Sequence, residues 1–293
     1  MILIADSGST KCDWVLLTKN NSGRRRSFRT VGLNPSTMKK SEMFAVLNCS
    51  EYVLECKERV KAIYFFGAGC NNAKAVAVLN SLFAELFPMM ETCVVQEDLM
   101  IAIHATSSCA GVVGILGTGS NCCFFNGLDV EHRVRAMGYL LMDEGSGNHL
   151  GKELLRSYFY GKLPTDLKID FERVYSLQES ELITGLYSGN RPSAYLASIG
   201  RFLIEHLEHP YAKQLVQHCM REFVENQLLV YKEELKDHPL FIIGSVGYYA
   251  RKVLKELLEE KRIRVKTTFI RRPLDVFVQG VLNDVTLLDA IAS

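Results

Sequence analysis

The sequence predicts an α/β protein built of two related halves, each a mixed sheet with helices on its faces. Three observations lead there. A strand, glycine turn, strand pattern occurs twice: Ile2-Leu3-Ile4-Ala5 enters Asp6-Ser7-Gly8-Ser9-Thr10-Lys11 and leaves through Cys12 to Leu17, and Val112 to Leu116 enters Gly117-Thr118-Gly119-Ser120-Asn121 and leaves through Cys122 to Phe125. Further strands follow through helices, which makes the sheets mixed. A length of 293 residues with 48% hydrophobic content is enough for two cores.

Each element has a local reason. Ser27 to Val31 continues the first hairpin as a third antiparallel strand and ends at the loop-forming Gly32-Leu33-Asn34-Pro35-Ser36-Thr37. Over 41–60, Phe44, Leu47, Tyr52, Val53 and Cys56 recur at helical intervals, with Ser41 as N-cap. Ala62 to Phe66 lacks polar alternation, so it reads as a strand covered on both faces and ends at Gly67-Ala68-Gly69-Cys70. A helix over 71–87 stops at Pro88, and Cys93-Val94-Val95 is the next strand. Gln96-Glu97-Asp98 follows at the strand end where open α/β sheets bind ligands. Asp98 reads equally as the cap of a helix from Leu99 to Ala105.

In the second half, Ser146 or Asn148 starts a helix through Leu150, Leu154, Leu155 and Tyr158. The stretch 160–191 is mixed and polar with helical fragments. Residues 192–207 and 211–235 read as long amphipathic helices. Leu240 to Ile243 is a buried strand entering Gly244-Ser245-Val246-Gly247 and a helix over 248–260. Val265 to Ile270 is the last strand, and 273–290 a closing helix with Pro273 in its first turn.

Bulk properties exclude several classes. With 34 basic and 33 acidic residues intermixed and a net charge of +1, the charge pattern favours neither nucleic acid nor a membrane surface. Arg24-Arg25-Arg26 follows Asn20-Asn21-Ser22-Gly23, a turn composition, and reads as a solvated hairpin tip. The nine cysteines contain no C-x-x-C pair, which argues against zinc and for reduced, mostly buried thiols. No apolar run approaches membrane-spanning length and Met1 leads straight into a strand, so the cytoplasm is the expected compartment.

The glycine turns suggest chemistry. A small-residue turn leaves backbone N–H groups pointing one way with no Cβ to block approach, and Ser7, Ser9, Thr10, Thr118 and Ser120 add hydroxyl donors, a combination suited to a polyphosphate. Taken singly, each turn is equally an ordinary hairpin. Asp143 and Glu144, before the helix start, either serve an anion or polyol site or complement the helix dipole.

In their order and spacing, Asp6-Ser7-Gly8-Ser9-Thr10-Lys11, Gly117-Thr118-Gly119-Ser120-Asn121-Cys122, Asp143-Glu144-Gly145-Ser146 and Gly244-Ser245-Val246 resemble the BadF/BadG/BcrA/BcrD-type ATPase family. Within it they resemble the N-acetylglucosamine kinase-like branch of the sugar kinase, heat-shock chaperone and actin superfamily, over nearly the whole chain. The resemblance implies two ribonuclease-H-like (actin-like ATPase) domains with mixed sheets around a nucleotide cleft: 1–107, completed by a C-terminal helix 281–293, and 108–280. It implies ATP and Mg²⁺, with phosphate contacts from Ser7, Gly8, Ser9, Thr10 and Lys11 and from Gly117, Thr118, Gly119 and Ser120. By the same resemblance Asp6 holds Mg²⁺ through water, Gly244 and Ser245 border the adenosine, and Asn34, Asp98, Gly138 and Asp143 meet an amino sugar whose 6-hydroxyl proton passes to Asp98.

Two departures touch the sugar side. Arg135-Ala136-Met137-Gly138 and Met142 before Asp143 replace the family's Gly-Gly-Trp-Gly and Gly-Asp-Glu-Gly-Ser, and Gly67-Ala68-Gly69-Cys70 replaces Ser-Gly-Gly-Asp. N-acetylmuramic acid, glucosamine and glucose are therefore alternative acceptors beside N-acetylglucosamine. Other classes are a dehydratase-activating ATPase, which needs cluster-binding cysteines where this chain has only Cys70, and a sugar sensor, which needs a DNA-binding segment ahead of the first strand. The expected partner is a small-molecule sugar, with no nucleic acid or membrane; homodimer and monomer both remain open.

Overall fold

In this computed structural model the described residues are 1–8, 11–18, 25–106, 109–175, 178–189, 191–284 and 286–292. The chain forms two compact units, Met1–Ser107 with Pro273–Ser293, and Ser108–Arg272.

The first unit is a five-stranded sheet with helices on both faces. Strands β1 (Ile2–Ser7), β2 (Lys11–Leu17) and β3 (Arg25–Val31) form an antiparallel meander. Helices α1 (Lys40–Asn48) and α2 (Glu51–Cys56) lead to β4 (Ala62–Gly67), and α3 (Ala73–Leu86) leads to β5 (Thr92–Glu97) and α4 (Asp98–His104). Both β4 and β5 run parallel to β1, in the order β3-β2-β1-β4-β5. Period-two alternation sorts the side chains. Leu3, Ala5, Trp14, Ile63 and Phe65 pack with Met43, Leu47, Leu79 and Phe83 of α1 and α3. Ile4, Val15, Tyr64 and Phe66 pack with Ile101 of α4 and with Leu274, Phe277, Val278 and Leu288 from the C-terminal helices Pro273–Asn283 and Thr286–Ala292.

The second unit repeats this connectivity. Strands β6 (Gly111–Leu116), β7 (Ser120–Phe125) and the two-residue β8 (Val130–Glu131) form the meander, and β9 (Leu240–Ile243) and β10 (Thr267–Ile270) run parallel to β6 in the order β10-β9-β6-β7-β8. Helices α5 (Gly147–Phe159), α6 (Thr165–Val174), α7 (Glu179–Ile183), α8 (Pro192–Glu205), α9 (Pro210–Phe223) and α10 (Glu234–Asp237) separate β8 from β9, and α11 (Ser245–Tyr249) and α12 (Arg251–Glu260) separate β9 from β10. One core gathers Val112, Leu116, Leu240 and Ile242 with Leu154, Phe202, Phe223 and Leu254. Helices α5 and α8 touch at backbone level: a Cβ on Gly151 would lie 1.9 Å from the Leu196 carbonyl oxygen, and one on Gly200 would lie 2.2 Å from that of Gly147.

Several boundaries differ from the sequence expectation for local reasons. The helix expected over 41–60 is two, because the Cys49 and Ser50 N–H groups close the first by donating to the Ala45 and Leu47 carbonyls and Ser50 is extended. Lys39, not Ser41, is the first N-cap, and its N–H donates to the Glu42 carboxylate at 2.7 Å. The closing helix breaks at Asp284, whose Oδ1 accepts from the N–H and hydroxyl of Thr286. The helix expected over 211–235 ends at Phe223 and continues as a π-helical turn (Val224–Leu228) and a 3₁₀ turn (Leu229–Tyr231). Arg25 and Arg26 belong to β3, where Arg26 bonds Glu55 at 2.6 Å, and Arg24 with the turn ahead of it lies outside the described residues.

Candidate functional site

The second unit assembles a loop platform. Gly117, Thr118 and Gly119 join β6 to β7, and the first N–H groups of α5 donate to that loop's carbonyls, Gly147 to Gly117 at 2.8 Å and Asn148 to Thr118 at 3.0 Å. Helix N–H groups that lack intrahelical partners are thus satisfied by the loop itself. Among the described residues, the N–H groups of Thr118 and Gly119 and the Thr118 hydroxyl have no protein partner. Gly244 and Ser245 belong to the same platform. Gly244, at φ +112°, lies so close that a Cβ there would be 2.4 Å from the Leu116 carbonyl oxygen, and it precedes the exposed Ser245 at the start of α11.

Asp143 supports the platform from beneath. It holds φ +71°, unusual for a side-chain-bearing residue, and is 8% exposed. Its Oδ1 accepts the Ser120 N–H at 3.2 Å, and its Oδ2 accepts the Asn148 side-chain amide at 2.6 Å. A Cβ on Gly119 would stand 2.8 Å from this carboxylate. Asn148 also donates to Ser193 of α8 at 3.1 Å, and its own buried Oδ1 has no partner. Ser146 caps α5, and His149 accepts the Gly145 N–H at Nδ1, while burial pushes its imidazole below the usual histidine range. Gly138, at φ +74°, has open space where a Cβ would go, and its carbonyl accepts from Met142 at 2.8 Å.

The first unit brings a second group together at the carboxyl ends of its parallel strands. Ser7, Gly67 and Glu97 are register partners, so Gly8, Ala68 and Asp98 emerge side by side. The Asp98 carboxyl is pushed up to about 6, chiefly by burial and then by the neighbouring Glu97 charge, against the pull of the Leu99 N–H. Asp98 is the first residue of α4, and Glu97 takes the cap position without a side-chain bond. Burial first, then the charges of Asp98 and Glu97, push the neighbouring Cys70 thiol up to about 12. Gly69, at φ +81°, presses on Asn34, whose Oδ1 would be 2.2 Å from a Cβ there and accepts the Ser36 N–H at 2.9 Å. Asn34, Gly69, Cys70 and Asp98 thus form one continuous cluster.

The first glycine turn is less open than its composition implies. The Ser7 hydroxyl, 0% exposed, donates to the Leu33 carbonyl and accepts the Leu33 N–H, at 3.1 and 2.9 Å, so it ties down the 32–37 loop and is not an outward donor. Gly8 donates its N–H across the turn to Lys11 at 3.0 Å, and the Lys11 ammonium stands 3.4 Å from Asp13. Ser9 and Thr10 lie outside the described residues. Asp6 sits one residue inside the end of β1, paired across to Asp13. No trio of His, Cys, Asp or Glu among the described residues is arranged to hold a metal unaided. A single carboxylate such as Asp6 is the kind of protein ligand that Mg²⁺ takes, the rest of its shell being water and phosphate oxygens.

Sequence reasoning missed Gln227. It sits in the π-helical turn, 5% exposed, and its Nε2 donates to the Ser120 hydroxyl at 3.1 Å and to Glu144 at 2.5 Å. The available signal was an amide interrupting the apolar stripe between Phe223 and Leu228. The bonds that Asn148 makes to Asp143 and Ser193 were also missed, because its place in the first helical turn reads as capping alone.

No sequence family and no curated protein matches the chain. Solved structures do. A candidate N-acetylglucosamine kinase from Porphyromonas gingivalis is 32% identical, with a TM-score of 0.86 over 97% of this chain and 99% of that one. Another candidate N-acetylglucosamine kinase, from Chromobacterium violaceum, is 17% identical with a TM-score of 0.67 over 95% and 97% of the two chains. A ROK family glucokinase from Streptomyces griseus, solved with glucose and AMPPNP, shares the fold at 12% identity and a TM-score of 0.57 over 96% and 98%. With the doubled strand order and a 32% identical relative over its full length, the chain belongs to the sugar-kinase branch of the sugar kinase, heat-shock chaperone and actin superfamily.

Proposed function

We propose that this chain is an ATP-dependent amino-sugar kinase of the BadF/BadG/BcrA/BcrD-type family, phosphorylating the 6-hydroxyl of N-acetylglucosamine with Asp98 as general base. The observation that carries the reading is the Asp98 carboxyl, which lies at the carboxyl end of β5 beside the Asn34 and Gly69 cluster and is raised to about 6 by burial. At neutral pH it is still mostly ionised, and its basicity exceeds that of an ordinary aspartate. The full-length likeness to the candidate N-acetylglucosamine kinase from Porphyromonas gingivalis supports the acceptor.

In this reading Asp98 accepts the proton of the sugar hydroxyl as its oxygen bonds the γ-phosphorus and the bond to the ADP oxygen breaks. Asn34, Gly138 and Asp143 hold the sugar. Thr118 and Gly119 N–H groups and the Thr118 and Ser120 hydroxyls receive phosphate oxygens, with Gly117 leaving room for them, and Gly244 and Ser245 border the nucleoside. Gly8, Ser9, Thr10 and Lys11 complete the phosphate contacts. Mg²⁺, held by Asp6 through water, would neutralise phosphate charge. The test is ADP release from Mg²⁺-ATP against N-acetylglucosamine, N-acetylmuramic acid, glucosamine and glucose, with product mass. Turnover with N-acetylglucosamine at the highest kcat/KM is expected, and ADP release with none of the four would reject the reading.

A further inference from the structure

We infer that Gln227 is a positioning residue for the nucleotide phosphates, acting by fixing the direction in which the Ser120 hydroxyl donates. The inference deepens the kinase reading and rests on its assignment of Ser120 as a phosphate contact.

The geometry is specific. Gln227 is buried in the π-helical turn Val224–Leu228, and such turns are frequent at functional sites. One amide nitrogen carries two protons, and both are placed: one on the Ser120 oxygen and one on the Glu144 carboxylate. Because Ser120 accepts from the amide, its single hydroxyl proton is left for another acceptor. The backbone of Ser120 is fixed as well, through its N–H to Asp143. Glu144 and the Ser120 hydroxyl share one nitrogen as donor, so a turn of the Glu144 side chain alone would bring its carboxylate to Ser120. Without the amide the carboxylate, a charged and therefore stronger acceptor, would take the Ser120 proton. The platform would then present an oxygen lone pair to an incoming phosphate in place of a donor.

The test uses Gln227→Met, which keeps length and removes both donors, together with Ser120→Ala and the double variant. Steady-state kinetics with ATP and N-acetylglucosamine and titration of a fluorescent ADP analogue give the readouts. Gln227→Met is expected to lower kcat/KM for ATP roughly tenfold or more and weaken nucleotide binding, while KM for the sugar stays within about twofold. Added to Ser120→Ala, it should cost nothing further, since both act through one hydroxyl. Multiplicative effects, or a loss of active fraction and Tm with both KM values unchanged, would overturn the inference. Should Gln227→Met fail to fold, Gln227→Leu answers the same question, because it also removes both donors without adding charge; undiminished nucleotide affinity in it would also overturn the inference. A wild-type chain that binds no ADP analogue would reject the kinase reading and this inference with it. Wild-type binding matched by Gln227→Met would reject the inference alone.

Discussion

Replacing Asp98 by asparagine should separate chemistry from stability, and the separation should depend on pH. Burial and Glu97 lift this carboxyl from an ordinary 3.8 to about 6. At 1.36 kcal/mol per unit, the folded protein carries about 2–3 kcal/mol of penalty for the ionised form. The sign follows from proton binding. Between the two values the folded state holds the proton more tightly than the unfolded chain, so the stability associated with this group is full below about 4 and is lost as pH rises through 6. Asparagine has no charge to bury. Asp98→Asn should therefore be more stable than wild type by about 2–3 kcal/mol at pH 8, roughly 5–10 °C in Tm, and the gain should vanish near pH 4. At pH 8 its kcat should lie two or more orders of magnitude below wild type with both KM values nearly unchanged, and wild-type kcat/KM should fall about tenfold per pH unit below 6, so the difference closes toward pH 4. Melting curves from pH 4 to 8 beside steady-state kinetics provide the assay. An equal Tm difference at both ends, or near wild-type turnover in the variant, would refute the reasoning.

Three other substitutions probe the remaining parts. Gly69→Ala forces a side-chain-bearing residue to φ +81° and sets a methyl 2.2 Å from the Asn34 amide oxygen, so KM for the sugar should rise about tenfold while KM for ATP holds; an unchanged sugar KM would detach Asn34 from the sugar. Gly119→Ala drives a methyl against the Asp143 carboxylate at 2.8 Å, at a cost of about 1–3 kcal/mol, and should weaken nucleotide binding in a fluorescence titration and raise the sugar KM together. Ending the chain at Arg272 removes the buried Leu274, Phe277, Val278, Val281 and Leu288 from one sheet face. At about 1.5–3 kcal/mol each, this approaches the whole stability of a domain, so calorimetry should lose the transition of the first unit.

Strands β1, β4, β6 and β9 were legible because each is a short apolar run that leads into glycine, a pattern that depends on neighbours in sequence. Asn72, at the head of the expected 71–87 helix, is a bonded cap, accepting the Ala75 N–H at 2.9 Å. What escaped depends on partners far along the chain. Gln227 reaches Ser120 across 107 positions, and Ser7 reaches Leu33 across 26, so no local pattern says which hydroxyl faces outward. The two-residue β8 is too short to carry alternation at all. Breaks at Ser50 and Asp284 were hidden because apolar periodicity continues across them, while at Asp284 the carboxylate competes locally with the helix ladder.

The bonds from the start of α5 into the glycine loop have an electrical consequence. A trans peptide carries its N–H opposite its carbonyl, so the two planes whose oxygens face the helix must turn their hydrogens away from it. Two loop peptides thereby join the end of the helical hydrogen-bond column, and the column's partial positive pole is displaced outward to Thr118 and Gly119. An arriving anion would meet that pole at the Thr118 and Gly119 N–H groups, while the helix terminus proper stays buried.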